Sequence, residues 1–252
     1  MTEFIPTLLF SHKINGFIWK ILINTDHTYI AIESRNSETK EITFSALSLE
    51  SGDFLFRELK LQEEWNFSLA YAANTKIIIT VFDQSLIPEN KGIISLNVND
   101  GSVNWERYNL SLDHADDGSL IVFDPKIQPR RYYRIDHNTA EILKESDPIP
   151  DKQNSIILPE IFSSYNFPEW IDKQMILGNI SVLHYNGLEI ISFHQKKSKN
   201  MEQRLLVYQG DRVFIDDILI SGIQKFQPES FFISKKHMFY IRNKSEIVSY
   251  LV

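Results

Sequence analysis

The stretch Ser95–Glu106, SLNVNDGSVNWE, decides how the whole chain is read. Apolar residues alternate on both sides of Asn99-Asp100-Gly101, and glycine supplies the positive φ that a tight β-turn needs, so the stretch reads as a hairpin. Working outward, the same layout returns. EITFSALSLESGDFLFREL (41–59) turns at Ser51-Gly52, and RRYYRIDHNTAEILKES (130–146) turns at Asp136, Thr139 and Ala140. QRLLVYQGDRVFIDDI (203–218) and HMFYIRNKSEIVSYLV (237–252) complete the set. The matched turn positions are Gly52, Gly101, Ala140, Gly210 and Ser245. Their spacing is roughly 35–50 residues except where an insertion intervenes, and a strand-only period of that size indicates a propeller or a related array. Two more strand-like runs precede each hairpin, for example FIWKILI and TYIAIES before the first, GIQKFQ and SFFIS before the last. Four antiparallel strands per unit is the make-up of a propeller blade. The expectation is an all-β fold: a single β-propeller of about five four-stranded blades over residues 1–252, WD40/YVTN-like in architecture, with residues 1–16 adding a closing strand.

SALSLESGDFLF and SLNVNDGSVNW resemble the A-L-D-x-x-T-G-x-x-x-W motif of quinoprotein-like (PQQ-type) propeller repeats. Ser48, Asn97 and Asp136 stand at its Asp position, and Ser51, Asp100 and Thr139 at its Thr. Gly52, Gly101 and Ala140 take the Gly position, while Phe56 and Trp105 take the Trp, from which Lys144 departs. The resemblance implies structural roles, with the Trp packing between blades and the Asp/Thr pair holding the turn. Quinone-dependent dehydrogenases with this repeat are much longer, and many place adjacent cysteines over the cofactor. This chain has no cysteine, so the resemblance carries the blade and no cofactor is expected. The C-terminal half, from SVLHYNGLEIISFH onward, is similar to a small uncharacterised bacterial family of unknown function, which implies no activity.

Composition narrows the classes further. Hydrophobic residues make up 43% and charged residues 23%, as in a chain able to bury a core. The 12% aromatic content suits pleated surfaces. A formal charge of −7 argues against general nucleic-acid binding. Without cysteine there is no disulfide, thiol nucleophile or thiolate metal site. No apolar run is long enough for a membrane-spanning helix, and MTEFIPTLLFSHKING lacks the cationic start of a signal peptide, so a cytoplasmic protein is expected.

No phosphate loop, zinc-helix or nucleophile-elbow motif occurs. The histidines are scattered, and His184 and His194 read as core or strand-edge residues. DHADDG (113–118) is the densest acidic cluster, but it lacks the alternating oxygen ligands of a calcium loop and reads as a solvated turn, so no metal is expected. Between 147 and 173 runs an insertion holding Pro148, Pro150, Pro159 and Pro168 together with Phe162, Tyr165, Phe167 and Trp170. The prolines deny it a long helix or a central strand. It reads either as a flap laying its aromatics on a blade face, with a short helical turn near Pro168-Glu169-Trp170, or as a partner-binding patch led by Phe167 and Trp170.

In a four-stranded blade the second-to-third turn lies on one face and the other two turns on the opposite face. On this register the second-to-third turns of the last three units are basic: Arg130 and Arg131; Lys196, Lys197 and Lys199; Lys235 and Lys236. The opposite turns carry acids, among them Asp26, Asp100, Asp116, Asp117, Asp136 and Glu229. The expectation is a basic arc that meets another protein or an anionic ligand. The function expected is a non-catalytic propeller scaffold. The alternative is a hydrolase or small-molecule binder using carboxylates at the central channel, for which only Asp26 and Asp113 lie near innermost strands.

Overall fold

Alternation of apolar and polar residues, broken by Gly, Asn, Asp and Ser turns, leaves this chain little choice but short antiparallel strands. The computed structural model describes residues 5–61, 67–82, 90–116, 118–143, 156–228 and 230–252. Asp117, Glu229 and the polar first part of the insertion lie outside them. The chain divides into two compact units, Asn15–Asn154 and Met1–Ile14 with Ser155–Val252. After β1 (Thr7–Lys13), the first unit holds three four-stranded meanders. They are β2 (Phe17–Ile23), β3 (Tyr29–Arg35), β4 (Ile42–Ser48) and β5 (Phe54–Lys60); β6 (Phe67–Ala72), β7 (Lys76–Phe82), β8 (Asn90–Asn97) and β9 (Val103–Arg107); and β10 (Ser111–Ala115), β11 (Ser119–Phe123), β12 (Tyr132–Asp136) and β13 (Ile142–Leu143).

Both faces of each middle strand are apolar, so the meanders stack. Tyr29, Ala31, Phe44 and Ala46 of the first meander pack on Phe67, Leu69, Ile77, Ile79 and Leu96 of the second. The other face of the second, with Ile78, Ile93 and Trp105, packs on Leu120, Val122 and Ile135 of the third. The opening stretch forms one of these joints. Gly101 has φ +72° and its N–H donates to Asn97 O at 2.9 Å. A Cβ there would meet the Phe56 ring of the preceding meander at 3.0 Å. Trp105 repeats the relation one meander on, donating from Nε1 to His137 O at 3.0 Å beside Ala140. Asp136 Oδ1 in turn accepts from the N–H groups of Asn138 and Thr139 at 2.8 and 2.9 Å.

The second unit adds two five-stranded sheets. One holds β15 (Glu160–Phe162), β16 (Ile176–Tyr185), β17 (Leu188–Lys197), β18 (Asn200–Gln209) and β19 (Arg212–Ile223) in chain order. The other runs β1, β22 (Glu246–Leu251), β21 (His237–Arg242), β20 (Phe231–Ser234), β14 (Ile156–Ile157). The closing strand expected from residues 1–16 is present: β1 pairs antiparallel with β22, from Thr7 opposite Leu251 to Lys13 opposite Glu246. The fold is thus all-β, with five antiparallel sheets of the blade type.

The closing strand also corrects the register of the last unit. GIQKFQ (222–227) forms no strand of its own; β19 continues through Ile223 and the chain then bends. Hairpin β21–β22 pairs on its β22 side with β1. Its outer neighbour arrives from the N-terminus, so β20, β21, β22 and β1 form the four-stranded meander and β21–β22 is its second-to-third hairpin. Local periodicity sees only consecutive strands, and a pairing across nearly the whole chain leaves no mark in it.

Candidate functional site

In sheet β15–β19, alternate residues point to opposite faces. Leu188, Ile190, Leu205 and Val207 face the neighbouring sheet, where they meet Phe231, Ile233, Met238, Tyr240 and Val248. The opposite face shows Ile191, Phe193, Leu206 and Tyr208, and the aromatic part of the insertion folds back over it with Tyr165, Phe167 and Ile171. Phe167 lies edge-on to Phe193 at 5.5 Å and to Tyr165 at 5.2 Å. The Tyr165 and Tyr208 hydroxyls both donate to Glu189 Oε2, at 2.6 and 2.8 Å. Burial pushes both phenols above the usual tyrosine range, and their bonds to Glu189 add to it. The described part of the segment thus packs Tyr165 and Phe167 as the flap reading expects, while Phe162 and Trp170 stay exposed. It turns at Pro168, whose carbonyl accepts from Ile171 N at 3.1 Å, and ends in a 3-10 turn at Lys173–Met175 capped by Asp172.

Where the flap ends it leaves a cleft of about 270 Å³ against the sheet, lined by Trp170, Ile171, Asp172, Met175, Gln195, Lys196 and Arg204. Trp170 is 42% exposed and stands edge-on to Tyr208 at 5.6 Å, so a buried ring backs it. Arg204 is gripped by Asp216, with Nε donating to Oδ1 at 2.6 Å and a second bond from Nη2 to Oδ2, which holds the guanidinium pKa above its ordinary value. Lys197 and Gln195 both donate to Glu202, at 2.7 and 2.6 Å. Burial opposes the Glu202 charge, but those two bonds outweigh it and keep the carboxyl below its usual range. Lys196 is exposed on the rim.

The nine candidate partner residues do not form one surface. Trp170 and Lys196 share this cleft. Phe167 is not a surface anchor: at 5% exposure it belongs to the core under the flap, and sequence could not tell which aromatic of the insertion would turn inward. Lys197 is committed to Glu202, and Lys199 sits at the exposed tip of hairpin β17–β18. Lys235 and Lys236 lie at the other end of the sheet. Lys235 O accepts from the Tyr185 hydroxyl at 2.6 Å, and Lys236 O accepts from Val252 N at 2.9 Å. Val252 O in turn meets Asn186 Nδ2 at 3.5 Å, at the start of β17. β17 is ten residues long, so the two lysine turns are separated by about 30 Å. The basic arc does not extend to the last unit, because the shifted register puts Lys235 and Lys236 at the opposite end from Lys196. Arg130 and Arg131 are exposed in the β11–β12 turn of the other unit, with Arg130 lying over the Phe123 ring at 4.5 Å. Sequence reasoning missed Met175, Gln195 and Arg204, which meet Trp170 only because the flap folds back.

Among the described residues no group of three His, Asp or Glu side chains could hold a metal ion. Asp113 is the unpaired residue of a bulge in β10 and bonds His114 at 2.9 Å, while Asp116 closes its own turn by accepting from Ser119 N at 2.9 Å. His184 and His194 face Glu189 and Leu177 respectively, not each other. His194 is 5% exposed; its Nε2 accepts from Gln227 N at 3.0 Å and its ring meets Phe226 at 5.1 Å. Burial lowers its pKa from the ordinary 6.5. The unfolded chain then takes up this proton at a higher pH than the folded one does. Its stabilising contribution is complete above about 6.5 and is lost as pH falls through the depressed folded value. Urea midpoints measured at pH 7.5 and 5.5 should fall more on acidification for the wild type than for His194→Gln, which keeps an acceptor but does not titrate. Equal slopes would remove His194 as the cause.

The fold and the site define a protein of blade-type β-sheets with a flap-edged surface cleft. The model of the family described as "Domain of unknown function (DUF4905)" matches residues 23–105, within the first two meanders and away from the C-terminal half. Comparison with curated proteins gives no match. Among solved structures the chain is similar to BamB from Moraxella catarrhalis, at 9% identity over 98% of this chain and 100% of that one, with a TM-score of 0.36. The β-propeller domain of Cps50 (Swd1) from Myceliophteria thermophila gives 9% identity over 98% and 99%, with a TM-score of 0.37. TolB from Acinetobacter baumannii gives 12% identity and a TM-score of 0.32 over 93% of this chain, which spans 54% of that one. Likenesses this distant do not bear on the activity.

Proposed function

We propose that this chain is a non-catalytic interaction module whose five blade-type sheets form one propeller domain with quinoprotein-like repeats, and that the flap cleft is its recognition surface. The observation that carries the reading is the cleft itself, where the half-exposed Trp170 and Met175 stand beside the rim cation Lys196. Exposed aromatics backed by a rigid core are strong interface anchors, since little entropy is lost on binding. The repeat reading draws support from Phe56 and Trp105, each packed on the turn of the next meander. A cysteine-free chain suits a reducing, cytoplasmic setting.

Affinity capture from native lysate, comparing wild type with Trp170→Ala/Lys196→Glu, tests the proposal. Lys196 is exposed and Trp170 nearly half so, and circular dichroism checks that the variant keeps the wild-type fold. The expected result is loss of the partners that the wild type retains. A variant that captures the same partners would rule the cleft out.

A further inference from the structure

We propose that the cleft takes one apolar side chain of an acidic, extended peptide segment, a partner class that rests on the cleft being the recognition surface. Size sets the first limit. Pockets for cofactors and drug-sized molecules span about 300–1,000 Å³, and this cleft, at about 270 Å³, suits a single large side chain. Its walls are apolar where such a chain would enter: Trp170, Ile171 and Met175. The indole is a fixed wall because Tyr208 stands behind it. The methionine is an adaptable one, able to reshape around leucine, methionine or phenylalanine.

Charge sets the second limit. Most of the polar groups around the cleft are already engaged. Arg204 is spent on Asp216, and Gln195 and Lys197 on Glu202. Asp172 Oδ1 accepts from Gln174 N at 3.1 Å, leaving its second oxygen for a backbone N–H of an extended segment. The side chains of Lys196 on the rim and Lys199 at the adjoining hairpin tip are exposed and enter no hydrogen bond or ion pair among the described residues. On the sheet side of the cleft the uncommitted charge is therefore positive, from Lys196 and Lys199, while Asp172 and the exposed Glu169 hold the flap side. A segment with Asp or Glu flanking its anchor on the sheet side satisfies the lysines, while a basic flank there would be repelled.

Selection of a random dodecapeptide phage library on the full-length protein, with counter-selection on Trp170→Ala/Lys196→Glu, tests the partner class. The sequences enriched on wild type should place Asp or Glu beside Leu, Met or Phe. A synthetic peptide of the consensus should bind Lys196→Glu about tenfold more weakly, roughly 1.4 kcal/mol. Replacing its acids with lysine should abolish binding to the wild type and restore it in part to Lys196→Glu. Enrichment of basic or uncharged sequences overturns the partner class while leaving the cleft as the recognition surface. Identical enrichment on both proteins overturns it as well. Partner capture that ignores the variant is the separate result that removes the surface itself.

Discussion

Glu33→Ala is expected to cost about 3–5 kcal/mol of stability, the range seen when one partner of a buried ion pair is removed. The Glu33 side chain is fully buried on β3. Its Oε1 accepts from Arg35 Nε at 2.7 Å and pairs with Arg35 Nη2 at 2.6 Å. Its Oε2 reaches across to the next meander and accepts from Leu69 N at 2.8 Å, beside the bulge in β6. The carboxylate thus joins two sheets and satisfies a backbone N–H on β6, the edge strand of its sheet. Removing it takes the charge partner from a guanidinium that is only 16% exposed and keeps a long bond to Phe67 O at 3.4 Å, and leaves the Leu69 N–H buried and unpaired. Arg35 also lies over the Trp19 ring at 4.6 Å, which fixes it where the charge would remain. Urea unfolding should show the loss directly. Glu33→Leu/Arg35→Met should lose less than the single change, because no lone charge remains. It should still fall short of wild type by about 1–3 kcal/mol for the orphaned N–H. A single variant within 1 kcal/mol of wild type would show that water replaces the carboxylate and that the bridge between sheets is not structural.

Gly16→Ala should be comparably damaging for a different reason. Gly16 precedes β2 with φ +82°, and an added Cβ would stand 2.5 Å from Arg35 O and 2.8 Å from Arg35 C. Both atoms are backbone, in the strand that pairs with β2, so no side chain can rotate away. Strain in the left-handed region and forced displacement each cost of order 1–3 kcal/mol, giving about 2–6 together. Gly210→Ala is the control: its φ is +57°, but a Cβ would meet nothing within 4 Å. It should therefore show only the strain, about 1–2 kcal/mol. Equal losses at the two positions would mean that the sheet yields at Gly16.

The hairpins, their turn residues and the core alternation were all legible in the chain, because each depends on contacts a few residues apart. Gly52, Gly101 and Ala140 have φ of +78°, +72° and +58°. Their shared position could be found by laying the copies side by side, even where one copy carries alanine. Trp105 could be read as a packing residue from its place in the motif. Glu33 could not be singled out: a lone acid in YIAIESR looks like an ordinary outward residue until the Leu69 N–H arrives against it. The lysines of the last unit were read correctly as turn residues and assigned to the wrong face.

The candidate site divides the same way. Aromatic content and prolines set the insertion apart as either a flap or a partner-binding patch, and nothing in FSSYNFPEW distinguishes the ring that enters the core from the ring that stays at the surface. That choice is made by Phe193, Leu206 and Tyr208, which wait on a face formed by β17 and β18. By itself, then, the sequence determined most of the strands, the hairpin turns, the blade-type repeat and the absence of thiol chemistry, all governed by local backbone preference and composition. The tertiary structure alone decided that β1 completes the last meander, that Lys235 and Lys196 lie at opposite ends of their sheets, and that Trp170 meets Lys196 across a cleft. Each of these rests on pairing between distant segments, whose free energy comes from burial and hydrogen bonds that no local window contains.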